Sequence, residues 1–514
     1  MKKIIAILLS LLMTLGLVAC AEKDAAVAEG LSVGYAIADI NPTTSIALDG
    51  YSGINSPQNR RSGPTEWPLQ AVVTAITDAK GQSVMIVALD LLNAYMADGM
   101  RDVIAGETGI PKSNIIVHCT HNHSGVSTRV DVPGLGDYIA SMTENILAAA
   151  REAMADRKPV TEVSTGFTRV EGCNFVRHYL LTSGRYVTGT TATLENGEQF
   201  YGHYGQPDNL LQMVKFAREG AKTVVLVNWQ AHPCAKIDMS IVTTDYPGVM
   251  RDYMAENMDC LPLFIQGGAG NLGGSSLVPT VTPRASGADY QELGRTLGAE
   301  AAAVVFTPIK DGDIYIKEQS MLLDNLDGGA TKVFVTALSI GEFAMITAPF
   351  EIFDTNAMYV KENSPYKMTF YTSCANGSNS YLSTPPSYEW KNSYEAGKGL
   401  WPVGTAEILQ DAQMTMLTEL FATTGQAAIQ KPDGYVRSEF VPVSDGVTYQ
   451  IMGAGYKEML TACENGFYSF KVKNDKGITR TLLAKNEELA NEIIMLPSAQ
   501  FIFDEQSVIV DIVR

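Results

Sequence analysis

Apolar residues run through the first four hundred positions in short blocks separated by polar turns. VVTAITD (72–78) and SVMIVALDL (83–91) are nearly continuous apolar runs on either side of Ala79-Lys80-Gly81, which predicts a β-hairpin. NIIVHC (114–119), KTVVLVNW (222–229), LPLFIQ (261–266) and FAMITAP (343–349) have the length and composition of buried strands. Between them Ile139, Met142, Ile146 and Ala153 recur at helical spacing in a stretch ending near Arg157, and the alanine-rich segment 289–305 predicts another helix. Strands alternating with helices over 31–430 predict an α/β fold of mixed β-sheets flanked by helices. Beyond Pro432-Asp433-Gly434 the pattern shortens. VRSEFVPV, VTYQIMG, FYSFKVK and SVIVDIVR predict strands with polar turns, so 431–514 is expected to form a small, mostly β C-terminal appendage.

With 514 residues, 46% of them hydrophobic, the chain has enough apolar surface for a large core. A formal net charge of −18 opposes a phosphate backbone, so no nucleic-acid partner is expected. The first twenty residues change the picture more. Lys2-Lys3, the apolar run IIAILLSLLMTLGLV and then Ala19-Cys20 have the layout of an export signal, too short and too early for a lasting membrane span. LVAC at 17–20 looks like a lipobox, with 1–20 as a lipoprotein signal peptide, Cys20 as the lipidated residue and the polar stretch 21–30 as a tether. The expected location is the outer face of a bacterial cytoplasmic membrane, held there by acyl chains. The remaining cysteines, Cys119, Cys173, Cys234, Cys260, Cys374 and Cys463, show no C-x-x-C spacing, which indicates neither a disulfide scaffold nor a thiolate metal site and leaves room for one or two disulfides.

Candidate chemistry concentrates in IIVHCTHNHSG (115–125), where three of the chain's six histidines fall just behind an apolar run. On an extended segment His121 and His123 would share one face, with Asn122 opposite and His118 turned away. Such an H-x-H can present imidazole to Zn²⁺, although two histidines on a wet loop look the same. Other ionisable residues also close apolar strands: His232 in VNWQAHP, Glu351 in TAPFE and Asp90 in VMIVALD. Strand ends open onto the crevice where α/β folds place their sites, so these residues form a plausible zinc inventory, with a surface loop or a satisfied core group as the alternative for each.

Seven segments, VGYAIADINP, LDGY, THNHSG, NWQAHP with TDYPG, QGGAGNLGG, APFE and NSYLSTPPSYEWKNSYEAG, occur in an order that resembles the neutral/alkaline non-lysosomal ceramidase family over most of 31 to about 425. The resemblance implies a zinc-dependent hydrolase cleaving the linear amide of an N-acyl sphingoid or related N-acyl amine. Carried over residue by residue, it implies His121, His232, Glu351 and Tyr381 as zinc ligands and His123 as a proton carrier beside the metal. It places Tyr394 near the substrate carbonyl, once one residue is inserted after Tyr388, and puts the arginine of the family's N-R motif on Arg177 in NFVRHY. A Zn²⁺ held by this set would lower the pKa of a bound water from about 16 towards roughly 7.

Two departures bear on the substrate. The family carries a serine implicated in catalysis where this chain has Gly273, and glycine supplies neither a nucleophile nor a hydroxyl donor. The family's C-terminal β-domain is also larger than 431–514. A metal-dependent esterase or amidase for a non-lipid conjugate, and a non-catalytic surface binding lipoprotein with the same fold, therefore stand as alternatives; a two-metal phosphoesterase is disfavoured by the scarcity of bridging carboxylates. The glycine run 267–270 lacks the Lys-Ser/Thr ending of a P-loop and is expected to be a close-packed turn.

Overall fold

The computed structural model describes residues 30–514 apart from 51–59, 129–132, 189–193, 196, 235–239, 275–288, 311 and 391–392. The expected signal peptide, Cys20 and most of the expected tether lie outside the described residues. No helix among the described residues is long and apolar enough to cross a membrane.

Two β-sheets stack between layers of helix, giving an α/β protein of mixed sheets. The larger sheet has nine strands and mixed pairing. In it the expected hairpin forms between Gln70–Thr77 and Ser83–Leu89, followed in parallel by Ile115–Cys119, while Thr223–Trp229 and Cys260–Gln266 pair in parallel near the other end. The second sheet has four strands, with Phe343–Thr347 parallel to Met368–Thr372. The facing surfaces share one core, in which Val72, Ile86, Ile116 and Leu226 meet Leu338, Phe343 and Phe370. Strand alternation then sends every second residue outward. Val73, Val87 and Val117 pack under the helices Ala97–Thr108 and Leu135–Ala155. Val225, Val227 and Phe264 meet Asp245–Asn257 and Tyr290–Ala302, and Ala337 and Ile346 meet Asp354–Asn363 and Thr405–Thr424. Strands buried on both faces explain why these segments read as unbroken apolar runs.

The segment that follows Met368–Thr372 ties the stack together. Ser373 N donates to Gln266 O (2.9 Å), Cys119 N donates to Cys374 O (3.1 Å) and Asn376 N donates to Val117 O (2.7 Å). One loop of the smaller sheet thus fastens two distant strands of the larger one and brings their ends side by side.

The C-terminal region builds its own eight-stranded sheet and core around Phe470, Ile493 and Phe501. The expected strands appear at Tyr449–Ile451, Tyr468–Lys473 and Ile509–Ile512, and a helix forms at Glu487–Ile494. VRSEFVPV differs: only Val443–Ser444 pairs. Its upstream neighbour Tyr435 is fully buried in the main core, where its hydroxyl accepts from Gln212 Nε2 (2.6 Å) and Thr369 N (3.0 Å). The chain there follows the larger unit instead of a sheet edge. Among the described residues no disulfide joins the six cysteines from Cys119 to Cys463.

Candidate metal centre

The strand Ile115–Cys119 stops two residues short of the first clustered histidine, so the alternation expected for His121 and His123 does not apply. His121 sits at φ 65, in the left-handed region, and His123 opens a turn. This backbone reversal, not a shared strand face, brings the two rings together at 5.1 Å between centroids. His118 stays in the strand, fully buried on the Ile116 side, where burial pushes it down to about 4. His123 is fixed by its backbone: its N donates to Pro233 O (3.0 Å) and its carbonyl accepts from Arg60 (2.8 Å). Gly50, at φ +113, packs so closely that a Cβ there would lie 2.6 Å from His123 Cα, which accounts for the glycine of LDGY.

His232 follows Thr223–Trp229 and is held by the turn of QGGAGNLGG. Its N donates to Leu272 O (3.1 Å), and its ring centroid lies 4.8 Å from that of His121 and 5.5 Å from that of His123. The turn is close-packed as expected: a Cβ on Gly268 would meet Ala357 at 2.3 Å and one on Gly270 would meet Glu351 O at 2.6 Å. The amides of Gly267 and Gly270 already donate to Trp229 O and Ile352 O, so this is no phosphate cradle. Glu351 and Tyr381 are parallel partners in a two-residue ladder, Glu351–Ile352 with Tyr381–Leu382, which delivers a carboxylate and a phenol from opposite sides of one pairing.

The expected donors converge. Glu351 Oε2 lies 3.1 Å from His121 Nε2 and 3.3 Å from His232 Nε2, and Tyr381 Oη lies 3.5 Å from His232 Nε2. The candidate ligand atoms of His121, His123 and His232 all lie within 4.8 Å of one another. Tetrahedral bonds of about 2.0–2.1 Å space ligand atoms roughly 3.3 Å apart, so the three shorter separations match donors around one ion. The tautomers fit too. His121 Nδ1 faces Leu92 O at 2.9 Å, and His232 Nδ1 faces Ala269 O at 2.7 Å and Leu272 O at 3.0 Å. A carbonyl can only accept, so each Nδ1 carries the proton and each neutral ring turns the lone pair of Nε2 towards the same carboxylate oxygen. Without a cation, a proton has to relieve that repulsion, and Glu351 favours it on His121 Nε2.

Electrostatics splits the two rings. Burial, followed by the Arg177 charge, pulls His232 down to about 4; burial also acts to lower His121, but Glu351 and Cys374 together outweigh it and hold the ring well above the usual histidine range. Burial and the neighbouring His121 and His232 keep His123 well below that range. Burial would raise Glu351, but His121 and His232 together outweigh it and hold the carboxyl well below the usual carboxylate range.

Arg177 and Tyr394 stand at the edge of the cluster. Arg177 Nη2 donates to Tyr381 Oη (3.1 Å) and to Gly270 O (2.8 Å), and Nε donates to Glu395 (2.7 Å). Tyr394 begins the helix Tyr394–Lys398, is 42% exposed, and sets its ring edge-on to Tyr381 at 5.8 Å. Asp90 is elsewhere: its carboxylate takes two bonds from Arg251 (2.6 and 3.0 Å) and one from Gln70 N (2.9 Å), a buried ion pair that answers for the acid ending its strand. Sequence reading missed Asn271, Asp354, His178 and Glu395. Asn271 Nδ2 donates to Asp354 Oδ1 (2.7 Å) while Asp354 N donates to Asn271 Oδ1 (2.9 Å), which anchors the turn whose carbonyls orient His232.

At Gly273, where the family that the sequence resembles carries a serine, Phe175 occupies the space a side chain would need. A Cβ would lie 2.5 Å from Phe175 Cζ, and Gly273 pairs with Phe175 on one side and His232 on the other. Phe175 also lines a cleft of about 1000 Å³ shared by Phe200, His203, Phe440, Arg480 and Phe503. None of His121, His123, His232, Glu351 and Tyr381 lines that cleft, and the group that could hold a metal ion is the histidine cluster.

No protein-family model matches the chain, and no curated protein is similar enough to align with it. Solved structures do match. The neutral ceramidase from Pseudomonas aeruginosa superposes with a TM-score of 0.59 at 13% identity, over 89% of this chain and 98% of that one. A structure described as ceramidase complexed with C2 gives 0.59 at 13% identity, over 94% of this chain and 92% of that one. The chain therefore has a neutral ceramidase-like fold along most of its length.

Proposed function

We propose that the protein is a zinc-dependent hydrolase of a linear N-acyl amine, with His121, His232, Glu351 and Tyr381 holding the metal. One observation carries the reading. Two imidazoles whose Nδ1 protons are committed to carbonyls aim their Nε2 atoms at one carboxylate oxygen at 3.1 and 3.3 Å. Three nitrogen and oxygen donors so placed, with a phenol alongside, suit Zn²⁺ and leave room for water or substrate. The metal, when bound, would act as a Lewis acid on water and on the acyl carbonyl.

The chain's own residues have distinct tasks. His123, beside the cluster and kept uncharged by burial and its two neighbours, accepts a proton from the attacking water and returns it to the leaving amine. Burial raises Tyr381 well above the usual phenol range, followed by Glu351, while the Arg177 guanidinium at 3.1 Å opposes that rise. Tyr394 stands at the exposed rim, where a phenol can donate to the oxygen that gains charge. Gly273 offers no nucleophile, so the route needs no acyl-enzyme. The likeness to ceramidase structures supports an N-acyl lipid as substrate. Export and lipidation at Cys20 would bring the site to a membrane.

The test is a panel of N-acyl amines and matched esters with purified protein, before and after chelation and zinc add-back. Amide cleavage restored by about one zinc per chain, and lost in His121→Ala and Glu351→Ala with the fold intact, is the expected outcome. Cleavage of esters alone would replace the amide substrate, and chelator-indifferent ligand binding without turnover would make this a binding protein.

A further inference from the structure

Glu395 has no exposed surface, and both of its oxygens are taken by neighbouring residues of one segment. Oε1 accepts from Arg177 Nε at 2.7 Å and Oε2 faces His178 Nε2 at 3.0 Å. Each end of this contact sits next to a candidate site residue. Arg177, which the carboxylate grips, reaches Tyr381 Oη; Tyr394, whose ring meets Tyr381, is the residue preceding Glu395. The helix carrying Tyr394 and Glu395 is only five residues long, which is too short to hold a fixed orientation by its own hydrogen bonds. At its N-terminus Ser393 accepts from Ala396 N at 3.4 Å and Thr188 Oγ1 accepts from Tyr394 N at 3.2 Å.

A planar guanidinium gripped at Nε by a carboxylate is fixed in direction as well as place. That grip leaves Nη2 aimed at Gly270 O and Tyr381 Oη. Burial disfavours the charge on Arg177, and Tyr381 and Glu395 outweigh that cost. His178 completes the arrangement. Its ring is wedged between Trp390 and Phe353, with centroids 4.8 and 5.4 Å away, so the second oxygen of Glu395 is held by a side chain that is itself fixed.

We propose that Glu395, steadied by His178, is a positioning residue that sets Arg177 against Tyr381 and holds the short helix presenting Tyr394 to the candidate metal centre. Its effect on turnover rests on the functional reading above; the clamp itself does not. Glu395→Gln keeps the shape, removes the charge and sets an amide group against His178.

The experiment compares wild type, Glu395→Gln, His178→Gln, Arg177→Lys and the Arg177→Lys/Glu395→Gln double variant for metal content, kcat and KM. Loss of an outer-shell partner typically costs about 10- to 100-fold in activity. Glu395→Gln is expected to keep wild-type metal content and KM, to lose kcat in that range, and to cost nothing further in the Arg177→Lys background. His178→Gln should lower kcat by a smaller factor and keeps the proposal testable if Glu395→Gln does not fold. An unchanged kcat, or losses that multiply in the double variant, would overturn the clamp. A metal-free arm separates the two ideas: the Arg177 Nε–H signal, identified by its loss in Arg177→Lys, is expected to be slowly exchanging in wild type and fast in Glu395→Gln or His178→Gln. If wild type takes up no metal and cleaves nothing, the functional reading fails and this signal alone decides; a signal unchanged in both variants overturns the proposal.

Discussion

Gly273 and Phe175 make a coupled pair whose energetics can be worked from the geometry. A β-carbon on Gly273 would sit 2.5 Å from Phe175 Cζ and 3.0 Å from both Cε atoms, closer than side-chain carbons approach, so the ring must move. The ring is not free to do so. Phe175 packs with Tyr179, Leu181, Val187 and Phe200, and its ring centroid lies 5.6 Å from that of His203. Overpacking of this kind costs about 1–3 kcal/mol. Gly273→Ala, and Gly273→Ser equally, should therefore lose that much stability in urea denaturation. Phe175→Leu on its own loses packing, but it withdraws the atoms that clash. In that background Gly273→Ala should cost at least about 1 kcal/mol less, a coupling of the size expected for residues in contact. The same variants test the chemistry, because restoring a hydroxyl with Phe175→Leu/Gly273→Ser should not raise the rate of hydrolysis above that of Phe175→Leu/Gly273→Ala. Equal costs of Gly273→Ala in both backgrounds would refute the packing argument, and a serine-dependent gain in rate would refute the exclusion of a serine route.

Asn271→Ala removes the reciprocal bonds to Asp354 that hold the turn under His232; metal affinity should fall about 10- to 100-fold by competition with a chelating dye, with the ligands themselves intact. Arg251→Ala leaves the fully enclosed Asp90 carboxylate without its cation and should cost about 3–5 kcal/mol in denaturant, without changing metal stoichiometry. Glu395 is lowered to about 2, since burial, which would raise it, is outweighed by Arg177 and then His178. A depressed carboxylate stabilises the fold above its unfolded value near 4.5, and the contribution, on the order of 3 kcal/mol, is lost as pH falls from there towards about 2. Glu395→Gln should accordingly flatten the acid limb of a stability–pH curve in that window while lowering stability above it.

The strands were legible because burial on both faces leaves continuous apolar runs, as in Val84–Leu89 and Val224–Trp229, and the helices because Met142, Ile146 and Ala153 keep to one face. The donors were legible for a related reason: an ionisable residue just past an apolar strand has few other uses, and His121, His232 and Glu351 all sit there. Asp90 obeyed the same rule for a different purpose, since its partner Arg251 is 161 residues away and invisible to local pattern. The left-handed turn at His121 lay beyond an argument from strand alternation, which gave the right neighbours for the wrong geometric reason. Glu395 and Asp354 were hidden because their burial depends on contacts across the fold: Glu395 touches residues 217 and 218 positions away. A TM-score of 0.59 at 13% identity also shows how far two sequences can differ while the fold is kept.

Anomalous diffraction from zinc-soaked crystals, recorded on both sides of the zinc absorption edge, tests the metal assignment most directly. The account predicts one peak about 2.0–2.2 Å from His121 Nε2, His232 Nε2 and Glu351 Oε2, with Tyr381 Oη completing the set. A crystal saturated with zinc that shows no peak there, with His121 and His232 hydrogen-bonded directly to Glu351, would contradict it.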